Sequence, residues 1–118
     1  MTHPSSDRLY LYESPIDAMS AASIENAQKG DINAWKRRCR LSLAGTSDIA
    51  LSKHLHIYPH TKELVFCLDN DPPGRKASKA LSVKYAEKGY HTRIELPVEK
   101  DYNVDLLCMF KQMQLGRT

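Results

Sequence analysis

The 118-residue chain has only three cysteines, Cys39, Cys67 and Cys108. They lie far apart, are odd in number and form no C-x-x-C pair, which excludes a zinc ribbon and a thioredoxin-type redox site. Without a disulfide framework the chain fits a reducing compartment, and Cys67, inside an apolar run, reads as a small hydrophobe. Glycine and proline are scarce, at 5 and 6 residues, which excludes collagen-like and low-complexity architectures. No apolar run approaches the ~20 residues of a membrane helix, and residues 1–7 lack the apolar stretch of a signal peptide. These absences predict a cytoplasmic protein with no membrane partner. The sequence has no internal repeat, and its five histidines show no metal-ligand spacing. His54 and His56 are expected to be exposed.

What is present is ordinary for a globular protein: 42% hydrophobic residues, 26% charged residues and a formal charge of +3. The length suits one domain. A domain of this size buries roughly two-thirds of its unfolded surface and needs no covalent staple. The pattern predicts a lead-in over 1–7, a single domain over 8–114 and a tail over 115–118.

Apolar runs predict strands at 9–12, 40–44, 63–68 and 90–96. Helices are predicted at 15–29, 48–56, 73–88 and 104–114. The first begins with Ser14 as N-cap, Pro15 at the first helical position and Asp17 completing a capping-box-like pattern; Gly30 stops it. Its apolar stripe reads as Ile16, Met19, Ala22, Ser23 and Ala27. The third helix places Ala77, Ala80, Leu81 and Tyr85 on one face. Strict alternation of strand and helix predicts an α/β fold with a mostly parallel four-stranded sheet and helices on both faces.

In such sheets a ligand site lies outside the carboxyl ends of the strands. Glu13 follows the first strand, Gly45 and Thr46 the second, Asp69 and Asp71 the third, and Asp101 and Asp105 the fourth. Adjacency of strands one and three brings Glu13, Asp69 and Asp71 together. Two carboxylates about 4 Å apart repel by roughly 4 kcal/mol at an effective dielectric near 20. Such a cluster takes up protons or holds a cation, and an all-oxygen donor set suits Mg²⁺ or Mn²⁺. In an extended Asp69-Asn70-Asp71 segment both carboxylates point one way and Asn70 the other.

Four motifs occur in order: E-S-P-I-D-A at 13–18, L-A-G-T-S at 43–47, L-D-N-D-P-P-G-R-K-A at 68–77 and K-D-Y-N-V-D-L-L at 100–107. Together they resemble the Toprim domain, a metal-binding module shared by topoisomerases, bacterial primases and some nucleases. The similarity spans nearly the whole chain and is greatest to the primase-like branch, especially in plasmid and mobile-element proteins. It implies a three-layer α/β/α, Rossmann-like fold with strand order 2-1-3-4. It implies that Glu13 is a general acid/base and metal ligand, that Asp69 and Asp71 bind the metal, and that Asp17 joins them. Gly74-Arg75 matches the G-R that opens the following helix. Two departures stand out: Ser14 replaces the family's usual glycine, and Pro72-Pro73 stiffens the loop after the D-x-D.

The implied chemistry is phosphoryl or nucleotidyl transfer on DNA or RNA, with nucleoside triphosphates as possible substrates, inside a larger primase-like replication or mobilisation protein. Arg75, Lys76, Gly45, Thr46 and the basic run containing Arg37 and Arg38 are the candidate phosphate and nucleic-acid contacts. A Toprim-type nuclease and a non-catalytic recruitment module are the alternatives. A receiver-type or phosphatase domain fits less well, because its key acids follow the first strand.

Overall fold

The computed structural model describes residues 7–33 and 38–115. Four strands and four helices alternate: β1 (Arg8–Tyr12), α1 (Pro15–Lys29), β2 (Cys39–Ser42), α2 (Ile49–Ile57), β3 (Glu63–Phe66), α3 (Pro72–Glu87), β4 (His91–Ile94) and α4 (Tyr102–Leu115). All strand pairs are parallel, in the order β2-β1-β3-β4. The expected α/β architecture and strand order are therefore present. The order reverses between β1 and β3, and the loops leaving these two strands diverge to opposite faces, opening a crevice at their carboxyl ends.

Alternation along the strands builds two cores. Leu9 and Leu11 of β1 and Leu64 and Phe66 of β3 face α2 and α3, where Leu51, Leu55, Leu81 and Tyr85 meet them. Tyr10, Tyr12, Val65 and Cys67 face the opposite way, against Ala18 and Ala21 of α1 and Tyr102 at the start of α4. Burial on both faces is why β1 and β3 read as continuous apolar runs. Full burial of a leucine or phenylalanine such as Leu9, Leu11 or Phe66 contributes roughly 1.5–3 kcal/mol.

Several sequence-based expectations shift. The buried face of α1 is Asp17, Ala18, Ala21, Ala22 and Glu25, with Ser20 beside it, whereas Ile16 and Met19 are exposed. Apolar periodicity picked the wrong stripe because two positions of the true one are carboxylates: Asp17 faces the rim, and Glu25 accepts hydrogen bonds from Arg40 and Arg38. On α3, Ser78 rather than Ala80 is buried. β2 ends at Ser42, not at 44, because Ala44 turns into the left-handed region at φ 54°. His54 is buried beside Leu51 and Leu55, with its ring 4.7 Å from that of Tyr58; His56 is exposed, as expected. β4 is a short edge strand with largely exposed side chains. Among the described residues, no helix is long and apolar enough to cross a membrane.

Candidate metal centre

Three helices begin at the crevice, and their caps are residues of the site. Ser14 caps α1: its Oγ accepts from the Asp17 amide at 3.2 Å and donates to Asp17 Oδ2 at 2.7 Å. Serine in place of glycine therefore supplies both a cap and a donor to a site carboxylate. Asp71 caps α3, accepting from the Gly74 amide at 2.8 Å. Asp101 Oδ1 accepts from the Val104 amide at 2.8 Å at the start of α4. The positive ends of all three helix dipoles thus face the carboxylates and offset part of their repulsion.

Single carboxylate oxygens of Asp17, Asp69 and Asp101 all lie within 4.8 Å of one another. Asp17 is buried and the other two are partly buried. Glu13 stands beside them, its Oε1 accepting from the Asp69 amide at 3.2 Å. Asp17 Oδ1 also accepts from the Asn103 amide at 3.3 Å, which ties α4 to α1 across the site. These residues line a cleft of about 420 Å³ together with Gly45.

Electrostatics at Asp69 follow from that crowding. Burial, and then the charges of Glu13, Asp17, Asp101 and Asp71, push its carboxyl up to about 7. Burial also raises Glu13, opposed by its hydrogen bond from the Asp69 amide and reinforced by the charge of Asp71. A partly buried carboxylate surrounded by four others binds a proton or a cation near neutral pH. The donors are all oxygens, with room in the cleft for retained water, so the residues present fit Mg²⁺ or Mn²⁺.

The expected ligand set was Glu13, Asp17, Asp69 and Asp71. The structure brings Asp17 and Asp69 together, with Glu13 adjacent through the Asp69 amide. The D-x-D pair does not present two equivalent carboxylates, since one oxygen of Asp71 is turned back to cap α3. Asp101 takes the third position of the triad. Its strand-end location and the K-D-Y-N sequence around it are the signal that sequence carries for it. Asp105, the other acid after β4, instead accepts from the amides of Val98 and Glu99.

The candidate phosphate contacts divide similarly. Gly45 lines the cleft at φ 125°, but its amide donates to the Glu13 carbonyl at 2.7 Å. Thr46 and Lys76 are exposed, and Arg75, also exposed, donates to Asn70 Oδ1 at 3.0 Å. Arg38 pairs with Glu25 at 2.7 Å and lies over the Tyr10 ring. Glu25 follows Asp17 by eight helical residues, roughly 12 Å along α1. Arg37 and Lys36 lie outside the described residues. Gly74 was expected only as the start of a helix, and the geometry adds a steric reason. A Cβ there would strike the Asp69 carbonyl oxygen and come within 2.9 Å of Asp71 Oδ1.

A solved structure with the same architecture is the primase fragment of the bacteriophage T7 primase-helicase protein, at a TM-score of 0.62 and 16% identity. The alignment covers 92% of this chain and 42% of that fragment, so the chain spans less than half of its neighbour's length. No curated protein matches the chain. The Toprim-like family model matches residues 10–106, from within β1 to within α4 and across every carboxylate of the cleft, and the chain belongs to that family.

Proposed function

We propose that this chain is a Mg²⁺- or Mn²⁺-dependent Toprim domain, a single unit over residues 8–114, that acts on DNA or RNA by nucleotidyl or phosphoryl transfer. Its setting is a cytoplasmic primase-like protein of a mobile element, with nucleoside triphosphates as substrates. The observation that carries this reading is the meeting of Asp17, Asp69 and Asp101 within 4.8 Å at the carboxyl edge of the sheet. Similarity to a primase fragment favours primer synthesis over cleavage.

Asp69, Asp17 and Asp101 would hold the cation, with Glu13 and Asp71 beside them. When bound, a divalent ion supplies charge neutralisation and orientation at a phosphoryl group. Glu13 engages the Asp69 amide through Oε1. Its raised proton affinity suits it to take a proton from an attacking hydroxyl group. Arg75 and Lys76, exposed on the first turn of α3 next to Asp71, offer positive charge to a polyanionic backbone without reading sequence. Thr46 offers an exposed hydroxyl in the loop after β2, while Gly45 shapes the cleft wall.

The test is incorporation of labelled nucleotide on a single-stranded DNA template, with Mg²⁺ or Mn²⁺, by wild type and the Asp69→Asn/Asp101→Asn variant. Metal-dependent products from wild type alone are expected. Cleavage of labelled DNA without incorporation would identify a Toprim nuclease instead. Equal behaviour of the two proteins in both assays would refute a catalytic role for the cluster.

A further inference from the structure

Asn70, the middle residue of the D-x-D, has a side chain that bonds Pro97 and Arg75 and is not one of the residues lining the cleft. Its position is nonetheless the most heavily bonded in the loop between β3 and α3. The Asn70 amide donates to the Lys100 carbonyl at 2.6 Å. Its side-chain Nδ2 donates to the Pro97 carbonyl at 3.1 Å, and its Oδ1 accepts from Arg75 Nη1 at 3.0 Å. One residue thus holds the segment between β4 and α4 at two carbonyls, one of them immediately before Asp101. The other bonds of that segment run to α4, where Asp105 accepts from the Val98 and Glu99 amides and Asp101 Oδ1 accepts from the Val104 amide, whereas the Asn70 bonds tie it to the loop after β3. At its far end, Asn103 fixes α4 independently through Asp17 and through Ser20 Oγ, which donates to Asn103 Oδ1 at 3.2 Å.

We infer that Asn70 is a positioning residue that straps the 97–101 segment to the D-x-D loop and thereby sets Asp101 against Asp69. This deepens the metal reading and rests on it. Two acids of the triad come from loops 32 positions apart in the chain, and a direct bridge between those loops fixes their separation. Arg75 supports the strap as well, because its guanidinium occupies the Asn70 oxygen and leaves Nδ2 aimed at Pro97. Groups that orient ligands without touching the metal typically govern affinity by about 10- to 100-fold.

The experiment measures Mn²⁺ affinity by electron paramagnetic resonance on the full chain, for wild type, Asn70→Ala, Asp101→Asn and the double variant. Asn70→Ala should weaken Mn²⁺ binding about 10-fold, the lower end of that range because the amide bond to Lys100 survives. In the Asp101→Asn background the same change should have almost no further effect, since the strap has nothing left to place. Unchanged affinity in Asn70→Ala, or an equal loss in both backgrounds, would overturn the inference. A metal-free measurement separates it from the metal reading. Hydrogen exchange at the amide of position 70, which donates to Lys100, should accelerate several-fold in Asn70→Ala. Wild type that binds no Mn²⁺ would defeat the metal reading, and the exchange rate would still decide whether the strap exists: no acceleration means there is none.

Discussion

Replacing Asp69 by asparagine should stabilise the metal-free protein at pH 8. Asp69 is held up to about 7 by burial and by four surrounding carboxylates, from an ordinary value of 3.8. A group that binds its proton more tightly when folded than when unfolded lowers stability as pH rises between those two values, because the folded state holds the extra proton. Below 3.8 both states are protonated and the penalty is absent; above about 7 it is complete. At about 1.4 kcal/mol per unit, a fully buried group would lose about 4 kcal/mol. Asp69 is only partly buried, so solvent screening reduces this to about 1–2 kcal/mol. Urea unfolding in EDTA should therefore show Asp69→Asn more stable than wild type by that amount at pH 8, with the difference shrinking at pH 4.5. Mg²⁺ at ten times the wild-type dissociation constant should return about 1.4 kcal/mol to wild type at pH 8, and no more than about 0.4 kcal/mol to a variant that binds at least 10-fold more weakly. If Asp69→Asn is no more stable than wild type in EDTA at pH 8, or gains equally from Mg²⁺, the reasoning from carboxylate crowding is wrong.

Asp71→Ala should cost about 1 kcal/mol of stability through loss of the α3 cap, whereas Asp71→Asn should retain the cap and separate its structural role from its charge in metal titrations. Gly74→Ala should destabilise the fold by about 1–3 kcal/mol in chemical unfolding and weaken metal binding, because the added methyl displaces the Asp69 carbonyl. Glu25→Ala should cost about 3–5 kcal/mol in the same unfolding measurement, since it leaves buried Arg40 without the carboxylate it pairs with at 2.8 Å. Mn²⁺ affinity of the folded Glu25→Ala variant should remain close to wild type, because Glu25 lies well down α1 from the cluster.

Strand and helix order were legible because β1 and β3 are buried on both faces and therefore announce themselves as apolar runs, the first followed by the strong cap Ser14-Pro15. The face of α1 was not, because it buries two carboxylates and small alanines while leaving Ile16 and Met19 in solvent. That is a tertiary requirement with no local apolar signature. Glu13, Asp17 and Asp69 were legible from motif and topology. Asp101 was located at a strand end but given no metal role, since its placement depends on the Asn70 and Asn103 bonds between loops distant in sequence. The cap formed by Asp71 was hidden for a related reason: Asp-Pro-Pro-Gly spells a helix start as readily as a metal loop, and the backbone geometry decides how the carboxylate is shared.

The most direct test of the account is Mn²⁺ titration of the wild-type chain at pH 7.5, followed by calorimetry, beside the Asp17→Asn, Asp69→Asn and Asp101→Asn variants. The account predicts one carboxylate-dependent binding event in wild type that each substitution weakens at least 10-fold. Equal binding heats in wild type and all three variants would contradict it.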